Sequence, residues 1–213
     1  MTARADVKRR IRGLYGIADA QASGGDPVRM AAWLLEGGCR VVQLRCKGWR
    51  SDDILVAARQ LRALCDAQQA TLIINDWPEI AVAAAADGVH VGQLDADAKT
   101  ARRIVGADRI VGRSTNDPEQ VRYALRGADY LAYGPVYATT HLSRPKTVHG
   151  VAALASARAI IPAEVPLVAI GGITAERVVA VRHAGADAWA VIGAVASAAD
   201  PVGAVRALVR AGG

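Results

Sequence analysis

Short apolar, β-branched runs recur along the chain and alternate with longer stretches whose apolar residues fall three and four apart. The runs at 14–18, 41–44, 71–74, 88–91, 110–112, 130–132, 167–170 and 188–192 have the length and composition of strands. Between them, segments such as 51–69 set Ile54, Leu55, Ala58, Leu61 and Leu64 on one helical face. Asp26-Pro27, Asp117-Pro118 and Asp200-Pro201 each read as a capping carboxylate followed by proline at the first helical position. Ser51 ahead of Asp52-Asp53 marks another helix start, and an alanine-rich helical stretch covers 78–86. Eight strands, each followed by a helix, form the pattern of a single-domain (β/α)8 TIM barrel. The domain is expected to span 1–213, with 1–12 as an N-terminal basic helix or arm. A doubly wound open sheet is the competing architecture, but 19–25 carries no G-x-G-x-x-G fingerprint at the first strand-to-helix turn. The one long irregular stretch, 134–149, follows the sixth strand, and loops of that length are usually functional.

Composition adds further constraints. Apolar residues make up 52% of the chain and Phe is absent, so a sizeable core must come from Ala, Val, Leu and Ile. The formal charge is +6, but apart from Lys8-Arg9-Arg10 with Arg12 the basic residues are scattered. A solvated basic surface and an anionic small-molecule substrate account for that charge as well as nucleic acid would. The scatter favours the solvated surface, so no nucleic-acid partner is expected. Cys39, Cys46 and Cys65 are odd in number and show no CxxC or zinc spacing, which points to a reducing cytoplasm. No uncharged apolar run approaches the ~18 residues of a membrane span, and the basic N-terminus lacks an apolar signal segment. A homodimer is compatible with these features.

The chemistry-bearing residues collect at the expected C-terminal ends of the strands, where barrel enzymes build their sites. Alternation in Gln43-Leu-Arg-Cys-Lys-Gly48 puts Gln43, Arg45 and Lys47 on one side. Inward-facing cations suit a phosphate or diphosphate, or else an Arg–carboxylate pair closing the barrel top. Thr71-Leu-Ile-Ile-Asn-Asp76 delivers Asn75 and Asp76, and Gly88-Val-His-Val-Gly-Gln-Leu-Asp95 delivers Gln93 and Asp95. Asp76 and Asp95, at the same end of adjacent parallel strands, suit Mg²⁺, commonly bound by one or two carboxylates plus substrate phosphates. Asp76 could instead cap the helix that begins at Trp77-Pro78. Ser114 fits either a phosphate donor or the cap of the helix near Asp117, and His90 either a pocket wall or a satisfied core histidine. Glycines after the seventh and eighth strands, Gly171-Gly172 and Gly193, suit a phosphate held by backbone N–H groups. Diphosphate features on one side and a monophosphate cradle on the other describe a two-substrate transferase.

Taken together, these segments, with Gly127-Ala-Asp-Tyr130, Gly134-Pro-Val-Tyr137, Ala169-Ile-Gly-Gly-Ile-Thr174 and Gly185-Ala-Asp187, resemble the thiamine-phosphate synthase family from about Leu14 to Ala194. The resemblance implies condensation of 4-amino-5-hydroxymethyl-2-methylpyrimidine diphosphate with 4-methyl-5-(2-phosphoethyl)thiazole. It implies that Gln43 contacts the pyrimidine, that Arg45, Lys47 and Asn75 hold the diphosphate, and that Asp76 and Asp95 carry Mg²⁺. It places Ser114 and Thr139 near the reacting groups, and Gly172 with the Gly193 and Ala194 amides on the thiazole phosphate. Two positions depart from the family pattern. The lysine expected after the sixth strand is Leu142, with Arg144 and Lys146 a few residues on, and the serine expected after the eighth strand is Gly193. The alternatives are a thiazole tautomerase on the same barrel and a non-catalytic phospholigand-binding barrel. The tautomerase is disfavoured because Asn116, not His, follows Ser114-Thr115.

Overall fold

A computed structural model describes residues 3–93, 97–139 and 147–213. Eight parallel strands close in sequence order into a barrel, β1 pairing with both β2 and β8. They are β1 (Gly13–Asp19), β2 (Val41–Arg45), β3 (Thr71–Asn75), β4 (Gly88–Val91), β5 (Ile110–Thr115), β6 (Tyr130–Tyr133), β7 (Leu167–Ile170) and β8 (Ala188–Val191). The helices are α1 (Ala3–Arg10), α2 (Pro27–Glu36), α3 (Ser51–Ala67), α4 (Pro78–Ala83), α5 (Ala98–Val105), α6 (Pro118–Ala124), α7 (Gly150–Ile160), α8 (Ala175–His183), α9 (Gly193–Ala196) and α10 (Pro201–Arg210).

The three Asp-Pro caps form as the sequence predicts: Asp26, Asp117 and Asp200 accept from the N–H groups of Arg29, Gln120 and Gly203. α3 starts at Ser51 itself, with Arg50 at the cap position and no side-chain cap. The alanine run 83–86 ends α4 rather than extending it. Ala85 takes a φ of +51° and Ala86 N–H returns to Ala81 O at 2.9 Å, turning the chain into β4. Helix propensity is here overridden by the need to re-enter the barrel.

Strand alternation sorts the core into two layers. Leu14, Val42, Leu44, Leu72, Val89, Val111 and Leu131 face the helices. Tyr15, Ile17, Val41, Ile73, Ile110, Tyr130, Val168 and Ala190 fill the barrel, and Val7 and Ile11 of the N-terminal segment pack under them. With no Phe available, two fully buried tyrosines supply the interior bulk. Gly112 makes room for one of them: a Cβ there would lie 2.0 Å from Tyr130 Cζ.

The strand ends carry the main departure from the sequence pattern. β1, β2 and β3 each run one residue further than their apolar runs, to Asp19, Arg45 and Asn75, and β5 runs on to Thr115. The ladders hold these polar residues in extended form: Asp19 pairs with Arg45, and Ser114 with Ala132.

The opposite end is stitched by a repeated device. Asp87, Asp129 and Asp187 precede β4, β6 and β8 and accept from the N–H groups of Leu72 (2.7 Å), Val111 (2.8 Å) and Leu167 (2.9 Å). Each also meets an arginine: Arg62 at 2.7 Å, Arg102, and Arg158 at 3.1 Å. Arg10 of α1 reaches Asp87 as well, tying the N-terminal helix to the barrel floor. Burial alone would raise the Asp87 pKa, but the Leu72 N–H, Arg62 and Arg10 outweigh it and hold the carboxyl below its usual value. A depressed folded pKa stabilises above the unfolded value, and that stability is lost as pH falls through the folded one. Asp87→Asn is therefore expected to cost about 1–2 kcal/mol at pH 7 and progressively less in acid. Urea unfolding at neutral and acidic pH checks this; an equal gap at both would refute it.

Candidate active site

The C-terminal strand ends bring most of the predicted residues to one mouth, in two groups. The first lies on β1–β5. Gln43 points inward, and its Nε2 donates to Tyr15 OH at 2.8 Å. Arg45 pairs with Asp19 directly across the ladder. Asp19 is 3% exposed and also accepts from Ala22 N–H at 2.8 Å. Lys47, beyond the strand end and about half exposed, pairs with Asp76. Asp76 has a φ of +67°, a left-handed conformation that Asp tolerates better than most residues. Its N–H bonds to His90 O at 2.8 Å. It does not cap α4, because Trp77 occupies the cap position without a side-chain bond. Asn75 sits half-buried beside it, in register with His90.

His90 is 6% exposed and bonds through Nδ1 to Tyr130 OH at 2.9 Å and through Nε2 to Ser114 Oγ at 2.8 Å. It is thus a satisfied interior histidine that also touches a predicted site residue. Ser114 belongs to β5 and caps nothing; Asp117 caps α6 instead. Gln93, at the foot of the next loop, bonds to Gln120. Asp95, Leu142, Arg144 and Lys146 lie outside the described residues.

The second group lines a cavity of about 370 Å³ between the ends of β6, β7 and β8. It gathers Thr139, Gly172, Gly193 and Ala194, all four predicted from sequence, with Thr174, Arg177 and Ser197. Gly172 has a φ of +62°, and a Cβ there would come within 2.3 Å of Ala138 O. The loop after β6 can lie against the β7 turn only because that position is glycine. α9 begins at Gly193, so the cavity wall carries the first N–H groups of a helix, which have no intrahelical acceptors. A larger cavity of about 580 Å³, between the loops after β1 and β2 and α3, contains none of the predicted residues.

Sequence reasoning missed Asp19 and Arg177. Asp19 shares the inward parity of Tyr15 and Ile17, a signal that a strand bounded at residue 18 discards. Arg177 donates to Gly172 O at 2.6 Å and stacks over Tyr137 at 4.5 Å, and only the packed turn reveals this.

Arg45 and Lys47 each face a carboxylate, Asp19 and Asp76 respectively. Among the described residues no three His, Cys, Asp or Glu side chains converge on a metal position. The hard anionic oxygen of Asp76, 11% exposed at the mouth, nevertheless has the donor chemistry of Mg²⁺, which needs few protein ligands when phosphate supplies the rest. The cysteines are free and buried. Burial pushes the Cys46 thiol up to about 12, so it remains neutral beside Arg45 and is no nucleophile. No helix among the described residues is long and apolar enough to cross a membrane.

Known proteins share this sequence and architecture. The sequence model of the family described as "Thiamine monophosphate synthase" matches residues 14–195. The thiamine-phosphate synthase of Anaeromyxobacter dehalogenans is 43% identical over 195 residues, covering 91% of this chain and 85% of that one. That of Chlorobium limicola is 41% identical over 184 residues, covering 86% and 87%. The solved thiamine phosphate pyrophosphorylase from Pyrococcus furiosus superposes with a TM-score of 0.87 at 30% identity, covering 96% of each chain. The chain belongs to the thiamine monophosphate synthase family.

Proposed function

We propose that this enzyme is a thiamine-phosphate synthase. It joins 4-amino-5-hydroxymethyl-2-methylpyrimidine diphosphate to 4-methyl-5-(2-phosphoethyl)thiazole, or its carboxylate form, giving thiamine phosphate and diphosphate, with carbon dioxide also released from the carboxylate form. The observation that carries the reading is the near-complete coverage of the chain by relatives of that name. Two separated anion-receptive groups at one mouth, matching a diphosphate and a monophosphate, support it.

The reaction breaks the C–O bond to the diphosphate, which departs with the electron pair. The aminopyrimidine stabilises the resulting benzylic-type cation, and the thiazole nitrogen attacks it. No protein base is needed, so the residues position and stabilise charge. Arg45, Lys47 and Asn75 hold the diphosphate and receive its growing charge, and Gln43 orients the pyrimidine. Ser114 and Thr139 sit beside the reacting groups. Gly172 and the Gly193 and Ala194 amides hold the thiazole phosphate, with Arg177 a further cation on the same wall. Mg²⁺, carried by Asp76 and Asp95, would supply positive charge to the leaving diphosphate. The enzyme works on small molecules in the cytoplasm, a setting that suits three free cysteines, alone or as a homodimer.

Incubation with both substrates and Mg²⁺ should release diphosphate and form thiamine phosphate. Absence of product with Mg²⁺ present overturns the proposal, and aromatisation of the thiazole carboxylate alone would favour the tautomerase. Gly172→Ala tests the monophosphate cradle. It should raise KM for the thiazole phosphate by about tenfold or more while leaving KM for the diphosphate substrate nearly unchanged. An unaltered thiazole KM would remove Gly172 from the assignment.

A further inference from the structure

Three buried polar side chains have no part in the reaction as described. Tyr15, Tyr130 and His90 lie inside the barrel at 2%, 0% and 6% exposure. They join Gln43 to Ser114 in one continuous chain. Gln43 Nε2 lies 2.8 Å from Tyr15 OH, Tyr15 OH 2.8 Å from Tyr130 OH, Tyr130 OH 2.9 Å from His90 Nδ1, and His90 Nε2 2.8 Å from Ser114 Oγ. Both ends of this chain are residues of the proposed substrate site.

We propose that Tyr15, Tyr130 and His90 are positioning residues. Their one-way hydrogen-bond chain fixes His90 as the Nε2–H tautomer, so that Ser114 accepts from it and turns its own O–H toward a ligand oxygen. This deepens the proposed function, resting on the reading that Ser114 faces the reacting groups.

The direction follows from counting protons. The Gln43 amide nitrogen can only donate, so Tyr15 accepts from it. Tyr15 has one proton, and its other partner in the chain is Tyr130. Tyr130 therefore accepts from Tyr15 and gives its own proton to His90 Nδ1. A neutral imidazole with an accepting Nδ1 carries its hydrogen on Nε2, and Ser114 receives it. With the Gln43 amide nitrogen facing Tyr15, running the chain the other way would make Tyr15 accept from both Gln43 and Tyr130. Its own proton would then have no acceptor in the chain, and leaving a buried donor unmatched is costly. Burial raises the pKa of Tyr15, and that of Tyr130 well above its ordinary value. Both hydroxyls therefore keep the protons that the chain requires.

The geometry explains two sequence choices. Tyr130 can cross the barrel to His90 only because Gly112 has no side chain. Phenylalanine at 15 or 130 would fill the interior equally well but would break the relay. Ser114, once it accepts from His90, has its single proton left for a ligand, which makes it a donor matched to a phosphate oxygen.

The test begins with the ligand-free wild-type protein, labelled with ¹⁵N-histidine. The His90 signals are identified by their loss in His90→Gln. A pyridine-like Nδ1 and a pyrrole-like Nε2 at neutral pH are expected; an Nδ1–H or doubly protonated His90 overturns the proposal. Tyr130→Phe removes the donor to Nδ1 and should give a mixture of tautomers, whereas an unchanged Nε2–H form counts against the relay. In turnover, His90→Leu should lower kcat by roughly tenfold. His90→Gln, whose amide nitrogen can stand where Nε2 stood, should recover most of it. Equal losses in the two variants would reduce His90 to a packing residue. The tautomer measurement uses no substrate, so failure of the synthase reading and failure of the relay are told apart.

Discussion

Replacing Asp76 with alanine is expected to cut turnover by roughly a hundredfold or more and to raise the Mg²⁺ concentration needed for half-maximal rate. Three features of this carboxylate account for so large an effect. It follows directly on β3 at the barrel mouth, it is only 11% exposed, and it faces Lys47, a proposed diphosphate ligand. Its loss would remove the proposed anchor of the ion and the carboxylate partner of Lys47. Alanine also sits poorly at a φ of +67°. Asp76→Asn separates these contributions, because Asn tolerates the left-handed backbone but carries no charge. The Asn variant should fold with near wild-type stability and still lose most activity. Asp95→Ala is expected to act in the same direction. Full turnover at unchanged Mg²⁺ dependence in both Asp76 variants would remove this residue from the metal assignment.

Arg45→Ala is expected to impair both stability and turnover, by separable routes. Arg45 is the partner of Asp19, whose side chain is 5% exposed. Leaving such a carboxylate without its cation should cost about 3 kcal/mol. The double variant Asp19→Asn with Arg45→Ala removes the stranded charge and should recover most of that stability. Turnover should stay at least about tenfold down, because the guanidinium proposed to hold the diphosphate is still missing. Chemical denaturation and steady-state kinetics on the single and double variants decide the matter. If activity returned along with stability, Arg45 would be a structural partner of Asp19 and nothing more. The pair therefore joins both sequence-level readings of Arg45. It closes the barrel top in the protein alone, and under the proposed function the diphosphate competes with Asp19 for the guanidinium.

Much of the site was legible because barrel architecture turns sequence order into position. Once eight strands are recognised, whatever follows each apolar run must sit at the mouth. That rule alone brought Gln43, Asn75, Asp76 and Ser114 to the first group and Thr139, Gly172, Gly193 and Ala194 to the second. It erred at the boundaries. Apolar runs mark where a strand is buried, whereas hydrogen-bond ladders mark where it is extended, and the two diverge where the interior turns polar. Asp19 was lost in that gap, and Ser114 was open to a capping role that its place in β5 excludes.

The sequence by itself determined the number and order of strands, the caps carried by Asp26, Asp117 and Asp200, and the set of strand-end residues available for chemistry. These depend on local propensity and short-range periodicity, which a linear chain displays directly. Only the tertiary structure decided which of those residues meet. Tyr15 and Tyr130 stand 115 positions apart and share a hydrogen bond because the barrel register brings them to one level. The pairing of Lys47 with Asp76 has the same origin. Periodicity tells each residue which way to face, but which residue faces it from across the barrel depends on how every strand is staggered against its neighbours.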